Sequence, residues 1–307
     1  MKTIDIHQVD AFTSEAFGGN PAGVVPDASL LTDEEMQKIA REMALSETAF
    51  VTKGDGEGKF RVRFFTPTTE VALCGHATIG TFFFLAEAGV IRPAGAGEAA
   101  RVTQITNAGD LRVGVSWRDG KTPSCVMMEQ NPVRLVATVN APDEMRELSE
   151  MLRAPAGSMR PGSLAPAIVS TGLPDLIIPL RSRDVLWALK PDLSRVADWC
   201  RERGAVSVHC FAMDPIDPAH TAHCRDFSPV VGVPEESATG TASGATAGYM
   251  VLNGLVKAGP VARIIFEQGH ILKRPSTIYA EVTRDARGLS VWVGGKAVTV
   301  LSGRMSF

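Results

Sequence analysis

Leu73-Cys74-Gly75-His76-Ala77-Thr78-Ile79-Gly80 and Glu236-Ser237-Ala238-Thr239-Gly240-Thr241-Ala242-Ser243-Gly244 read as two copies of one device. Each follows an extended run ending in Phe-(Thr/Ser)-Pro, at Phe65-Thr66-Pro67 and Phe227-Ser228-Pro229. Each sets a glycine, Gly75 or Gly240, just before small and apolar residues, as a helix entered through a tight turn would. Such a start leaves backbone N–H groups without acceptors and presents the positive end of the helix dipole, which suits a carboxylate. Two starts in one chain predict two half-molecules facing one anionic ligand between them.

The pairing extends outward from these turns. Gly19-Asn20-Pro21-Ala22-Gly23-Val24-Val25 matches Thr171-Gly172-Leu173-Pro174-Asp175-Leu176-Ile177-Ile178, each a turn entering a short apolar strand. A helical stretch follows in both halves. Leu31 to Met43 carries apolar residues near a 3.6-residue period, with Thr32 and Glu35 as a capping box. Its counterpart is Val185 to Arg203. Each half then reads strand, polar hairpin, strand: Thr48–Thr52, Lys53–Gly58 and Lys59–Phe65, against Val206–Met213, Asp214–Ala219 and Thr221–Phe227. Later strands are expected near Ala262–Gln268, Ser276–Thr283, Leu289–Gly294 and Lys296–Leu301. Residues 1–120 form the expected first domain, joined by the C-terminal strands 290–307, and residues 121–289 the second. The passage between them is placed around Asp119-Gly120-Lys121-Thr122-Pro123. Pro93 to Ala100 and Ala154 to Pro166 read as surface connections.

A chain of 307 residues has room for two domains of ordinary size. Hydrophobic content of 45% and charged content of 21% are those of a soluble globular protein. A net charge of −3 gives no electrostatic case for nucleic acid or an acidic membrane. The longest apolar stretch, Ile79 to Ala86, is far short of a membrane span. Met1 to His7 reads as the start of a strand rather than a signal peptide. Five cysteines without regular spacing argue for reduced thiols and a cytoplasmic location.

Glu47 stands in Ala44-Leu45-Ser46-Glu47-Thr48-Ala49-Phe50, where an expected helix ends and an apolar strand opens. A partly desolvated carboxylate there is placed to act as a general acid/base, although a strand-end Glu is more often an exposed polar residue. Cys74 and His76 flank Gly75. A cysteine at a helix N-terminus is biased toward its thiolate, and a histidine there can bind a carboxylate or carry a proton. The plain alternative is a buried structural thiol and a capping imidazole. The counterpart of Cys74 is Thr239, a weak base without help, so a symmetric pair of thiols is disfavoured. Glu236, before the second turn, is placed to hold a substrate amine or orient His76, or is an exposed acid beside Glu235.

Three patterns are set aside. Lys53-Gly54-Asp55-Gly56-Glu57-Gly58-Lys59 lacks the spacing of a phosphate loop and is read as a hairpin turn. His209, Cys210, His220, His223 and Cys224 straddle an expected hairpin without zinc-ligand spacing. Met127-Met128 is read as core strand.

With these residues in hand, the chain resembles the phenazine-biosynthesis isomerase family, the PhzF-like proteins, which share a fold group with diaminopimelate epimerase and proline racemase. The likeness rests on Asp10-Ala11-Phe12, Phe17-Gly18-Gly19-Asn20-Pro21-Ala22-Gly23-Val24, Ser46-Glu47-Thr48-Ala49-Phe50, Cys74-Gly75-His76-Ala77-Thr78, Ala238-Thr239-Gly240-Thr241-Ala242, and Gln268-Gly269 with Arg274-Pro275-Ser276. It implies an α+β fold of two pseudo-symmetric domains, each a curved mixed β-sheet wrapped around a central helix, with the active site in the cleft between them. It implies no metal, no organic cofactor and a homodimer. The family's acid/base glutamate falls on Glu47, with His76 and Cys74 as further catalytic candidates. Asn20, Ser46, Gly75, Glu236, Thr239, Gly240 and Thr241 fall on substrate-binding positions. The chain departs from the phenazine-pathway pattern at Cys74, where that pattern has Ala, and at Glu236-Ser237, where it has Asp-Pro.

The expected function is a cofactor-independent isomerase that moves a proton and a double bond on a small carboxylate-bearing metabolite. A single base on one face favours migration over inversion. The alternatives are a Cys74-dependent epimerase or dehydratase of an amino or hydroxy acid, and a catalytically silent metabolite-binding protein.

Overall fold

A computed structural model describes residues 1–95, 98–155, 157–159, 164–257, 259–286 and 288–307. The expected connections 93–100 and 154–166 therefore lie partly outside the described residues. Backbone contacts divide the chain into two units, Met1–Glu129 with Gly294–Phe307, and Gln130–Val293.

The first unit opens with β1 (Thr3–Ala11), β2 (Asn20–Val25) and α1 (Asp33–Met43). Strands β3 (Thr48–Lys53), β4 (Lys59–Phe65) and β5 (Glu70–Val71) lead into α2 (Gly75–Glu87). Then come β6 (Ala100–Thr106), β7 (Gly109–Arg118) and β8 (Thr122–Glu129). The second unit holds β9 (Arg134–Thr138), α3 (Pro142–Leu152), β10 (Ala167–Ser170), β11 (Pro174–Leu180), α4 (Arg183–Ala188) and α5 (Leu193–Arg203). It continues through β12 (Ser207–Ala212), β13 (Ala222–Ser228), β14 (Val233–Glu236), α6 (Gly240–Leu252), β15 (Ala262–Gln268) and β16 (Ser276–Asp285). β17 (Gly288–Gly295) crosses the division, and β18 (Ala297–Ser306) belongs to the first unit.

Helix α2 is apolar on every side, and all residues from His76 to Ala86 are buried. A helix of that composition has no face to give to water, so it must be enclosed. β1, β2, β3, β7, β8 and β18 pack around it. The enclosing sheet is mixed: β1 runs antiparallel to β2 and β18, β2 parallel to β3, and β4 antiparallel to β3 but parallel to β6. On the sheet's other face, α1 lays Met36, Ile39 and Ala40 against Phe50 and Phe65. Burying each large side chain of that kind contributes about 1.5–3 kcal/mol.

The second unit repeats the plan. Helix α6 is buried from Ala242 to Val251 and packs on β10, β11, β12, β15 and β16. β11 runs parallel to β12, and β13 antiparallel to β12 but parallel to β15. The registers correspond as well, since Gly23 pairs with Thr48 and Leu176 with Val208. α3, α4 and α5 cover the outer face with Leu148, Met151, Leu186, Val196 and Trp199.

Several expected elements change at their ends. The capping box is present, with Thr32 as N-cap, so α1 begins at Asp33 and not Leu31. The single helix expected over Val185–Arg203 is two helices. Pro191 cannot continue a helix, and Asp192 caps the second one by accepting the Arg195 N–H at 3.3 Å. Residues around Asp119 form the tight turn between β7 and β8. β18 runs beyond Leu301 to Ser306 because β1 offers a partner along its whole length, from Thr3↔Ser306 to Ala11↔Ala297. β9 and α3 had no counterpart in the sequence reading. Among the described residues, no helix is long and apolar enough to cross a membrane.

Candidate active site

The first turn is built by β4, β5 and the entry to α2. Thr66 accepts and donates within its own turn, its N–H reaching Thr69 O at 2.8 Å. Arg63 grips Glu70 through two 2.8 Å bonds and so fixes β5 on β4. Cys74 is then the N-cap, extended at φ −141°, with no side-chain cap bond. The first i→i−4 bond runs from Thr78 N to Cys74 O at 3.1 Å. The N–H groups of Gly75, His76 and Ala77 thus have no acceptor within the helix.

Glu47 is carried to this turn by the strand before it. α1 ends on Ala44 in the left-handed region (φ 51°), and the chain turns through Leu45 and Ser46 into β3. The Glu47 carbonyl accepts the Gly23 N–H at 3.0 Å, which ties it to β2. Gly23 has to be glycine there, since a Cβ would lie 2.6 Å from Thr48 Oγ1.

The side chains converge on His76. Its Nε2 is 3.2 Å from Glu47 Oε2 and 3.2 Å from Ser46 Oγ, and its Nδ1 is 3.4 Å from Cys74 Sγ. The His76 and Glu47 side chains are 8% and 16% exposed, so water screens this contact weakly. Burial pushes the His76 pKa down, and the Glu47 charge opposes that shift only in part. The imidazole is therefore neutral near neutral pH. A carboxylate oxygen beside Nε2 favours the tautomer with the proton on Nε2, which leaves Nδ1 to accept from the Cys74 thiol. Glu47 Oε2 is itself buried, and its approach to His76 lacks hydrogen-bond alignment, so no donor among the described residues satisfies it. Asn20 opens β2 opposite Ala11 and is buried.

The second turn has its own brace, which the sequence reading assigned no role. Gln268 is fully buried at the end of β15. Its Oε1 accepts the Thr239 N–H at 3.2 Å, while its Nε2 donates to Glu236 O at 2.9 Å and Thr239 Oγ1 at 3.2 Å. The next residue, Gly269, sits at φ +79°, where a Cβ would lie 2.3 Å from Arg274 O and 2.5 Å from Ser237 O. Ser276 Oγ holds Ser237 O at 2.9 Å. With the Thr239 amide taken by Gln268, the donors left at the start of α6 are those of Gly240, Thr241 and Ala242. Glu236 ends β14, half-buried and paired with Asp226. The signal for the brace was a buried-type amide directly before a turn glycine, Gln268-Gly269. Its partners lie 29 and 32 residues away, so spacing alone does not reveal them.

The set-aside histidines are structural. His220 and His223 both bond Glu267, at 2.9 Å and 2.8 Å, while the Trp187 indole donates to His223 Nε2 at 3.0 Å. His209 pairs with Asp226 at 3.2 Å, fully buried. Lys53–Lys59 forms the β3–β4 hairpin turn, and Met128 is a core residue of β8.

The family model described as "Phenazine biosynthesis-like protein" matches residues 9–303. An "Uncharacterized isomerase" of Deinococcus radiodurans is 39% identical, over 96% of this chain and 92% of its own length. The trans-2,3-dihydro-3-hydroxyanthranilate isomerase of Pseudomonas aeruginosa is 30% identical, over 96% of this chain and 97% of its own. A solved phenazine biosynthesis protein of the PhzF family from Bacillus anthracis superimposes with a TM-score of 0.88 at 31% identity, each chain covered to 100%.

Proposed function

Since this chain belongs to the phenazine biosynthesis-like family and is an isomerase, we propose that it moves a proton and a double bond within a small unsaturated carboxylate, with Glu47 as the proton carrier. The observation that carries this reading is the state of Glu47 Oε2: buried, unsatisfied by any donor among the described residues, and set beside the open start of α2. Glu47 takes a proton from a carbon next to the double bond. The electron pair spreads through the conjugated system toward the carboxylate, and the same carboxyl group returns the proton to a more distant carbon. The N–H groups of Gly75, His76 and Ala77 hold the substrate carboxylate and stabilise the charge that reaches it. His76, neutral and fixed by Ser46, donates a hydrogen bond without competing for the proton. Asn20, in the same unit as Glu47, is a further polar contact.

The test is hydrogen–deuterium exchange in D2O, followed by NMR, on trans-2,3-dihydro-3-hydroxyanthranilate and a panel of small unsaturated carboxylic acids. Exchange with at least one acid is expected. Glu47→Gln keeps the shape but cannot carry the proton, so exchange should fall by about 10² or more while binding persists. Exchange surviving in this variant would move the base elsewhere. One observation favours a second reading: Cys74 Sγ lies 3.4 Å from His76 Nδ1, a contact that would activate the thiol as an epimerase base. Racemisation of an amino or hydroxy acid that Cys74→Ala abolishes would establish it.

A further inference from the structure

Glu47, Cys74 and His76 bring a carboxylate oxygen, a thiol sulfur and an imidazole nitrogen within 4.8 Å of one another, the one such group found among the described residues. Cys74 Sγ is 3.4 Å from Nδ1 and 3.9 Å from Nε2 of His76, and Glu47 Oε2 is 3.2 Å from Nε2. With Zn–N and Zn–O bonds near 2.0 Å and Zn–S near 2.3 Å, the edges of a tetrahedral zinc site are about 3.3–3.7 Å. An ion takes only one nitrogen of the ring: through Nε2 the 3.2 Å edge to Glu47 Oε2 already matches, while the 3.9 Å edge to Cys74 Sγ and the Oε2–Sγ edge, within 4.8 Å, contract as the thiol swings in. Glu47 Oε2 is buried without a donor, which is the condition of an acceptor that a cation would satisfy. An ion on Nε2 displaces the hydrogen bond between that nitrogen and Ser46 Oγ, 3.2 Å away. The other histidine cluster has no such capacity. Both oxygens of Glu267 are occupied, by the Ile216 and Asp217 N–H groups and by His220 and His223, and His223 Nε2 accepts from Trp187.

We propose that Glu47, Cys74 and His76 form a binding site for one thiophilic divalent cation of the zinc and cadmium class. Three protein ligands of mixed O, S and N type leave a fourth position for water or a substrate oxygen. Binding converts the Cys74 thiol to a thiolate and releases its proton to solvent. The ion also takes up the Glu47 carboxylate. If Glu47 carries the proton as proposed above, the metal is a reversible inhibitor, and a chelator restores activity. The binding itself stands apart from that reading.

The experiment uses the full chain, reduced and freed of metal with a chelator that is then removed. Co2+ is titrated as the spectroscopic probe, and Zn2+ by competition with a chromogenic chelator. The expected result is one ion per chain, with a thiolate-to-cobalt charge-transfer band. Cys74→Ala and Cys74→Ser should both lose the band. Each of these variants, and Glu47→Gln, should weaken Zn2+ binding by about tenfold or more. Cys125→Ala, on β8, serves as the control and should bind as the parent does. A titration without the charge-transfer band, or Zn2+ affinity unchanged in both folded Cys74 variants, overturns the proposal. Melting curves identify any variant that has failed to fold. The deuterium-exchange test is run in chelator, so its outcome is independent of metal binding.

Discussion

Replacing Gln268 with Leu tests how the second turn is held. The substitution keeps bulk in a fully buried position but removes three hydrogen bonds, to Thr239 N–H, Thr239 Oγ1 and Glu236 O. Each net hydrogen bond contributes about 0.5–1.5 kcal/mol, and depriving the buried-side Thr239 amide of its acceptor costs about 1–3 kcal/mol. A loss of about 2–4 kcal/mol follows for the turn before α6, allowing for overlap between those two contributions. Hydrogen exchange resolved to peptides covering residues 236–242 is the assay, because it reads local opening where a whole-chain denaturation would average two units. Protection at Thr239 should drop by about 30-fold or more, since each 1.4 kcal/mol is a factor of ten. Gln268→Glu separates the roles: its oxygen still accepts from Thr239 N–H, but it faces Glu236 O with no donor, so it should fall between the parent and Gln268→Leu. Unchanged protection in Gln268→Leu, in a protein that melts normally, would refute the idea that this amide holds the turn.

Cys74→Ala should retain isomerase turnover within about tenfold, measured by the same deuterium-exchange assay, because the thiol has a threonine and no second cysteine as its counterpart. The His76 pKa is lowered by burial from 6.5, so below about pH 6.5 the unfolded state binds more protons than the folded one. Stability of the parent should therefore fall as pH drops below that value until the depressed folded pKa is reached, and urea midpoints for His76→Gln should lack this part of the slope. Burial raises the Glu267 pKa, but hydrogen bonds from His223, the Ile216 and Asp217 amides and His220 outweigh it and bring it down from 4.5 to about 2. Its contribution is present above 4.5 and lost as pH falls toward 2, so Glu267→Gln should be less stable at neutral pH and show a flatter acid limb. Gly23→Ala, forced against Thr48 Oγ1 at 2.6 Å, should cost about 1–3 kcal/mol and lower turnover by moving Glu47.

What the sequence made legible was local. Gly75 and Gly240 announce helix starts by their neighbours, Thr32 and Glu35 form the capping box within four residues, and α2 and α6 declare their burial by having no polar face. Glu47, Ser46, Cys74 and His76 were separate candidates in the sequence, and the structure gathers them because parallel pairing of β2 with β3 delivers Glu47 to the mouth of α2. Long-range and single-residue effects decide the rest. Pro191 broke an otherwise continuous helical period, and β9 is exposed along its whole length, so no alternation marked it. Gln268 matters through residues about thirty positions away, a relation that only the folded sheet creates.

The order in which the chain leaves the ribosome meets an unusual constraint here. β1 needs a neighbour on both sides, and one of them, β18, is made some 300 residues later, with Thr3 waiting for Ser306. Residues 130–293 form an uninterrupted unit that can condense while the rest is still being translated. The first unit, though its first strands precede the second unit in the chain, keeps an open strand edge until β18 is made. During that interval β1 is a template for any stray strand, its own or a neighbour's. Slow translation of β18, or its loss, would therefore show itself as aggregation of nascent chains before any defect in catalysis could be seen.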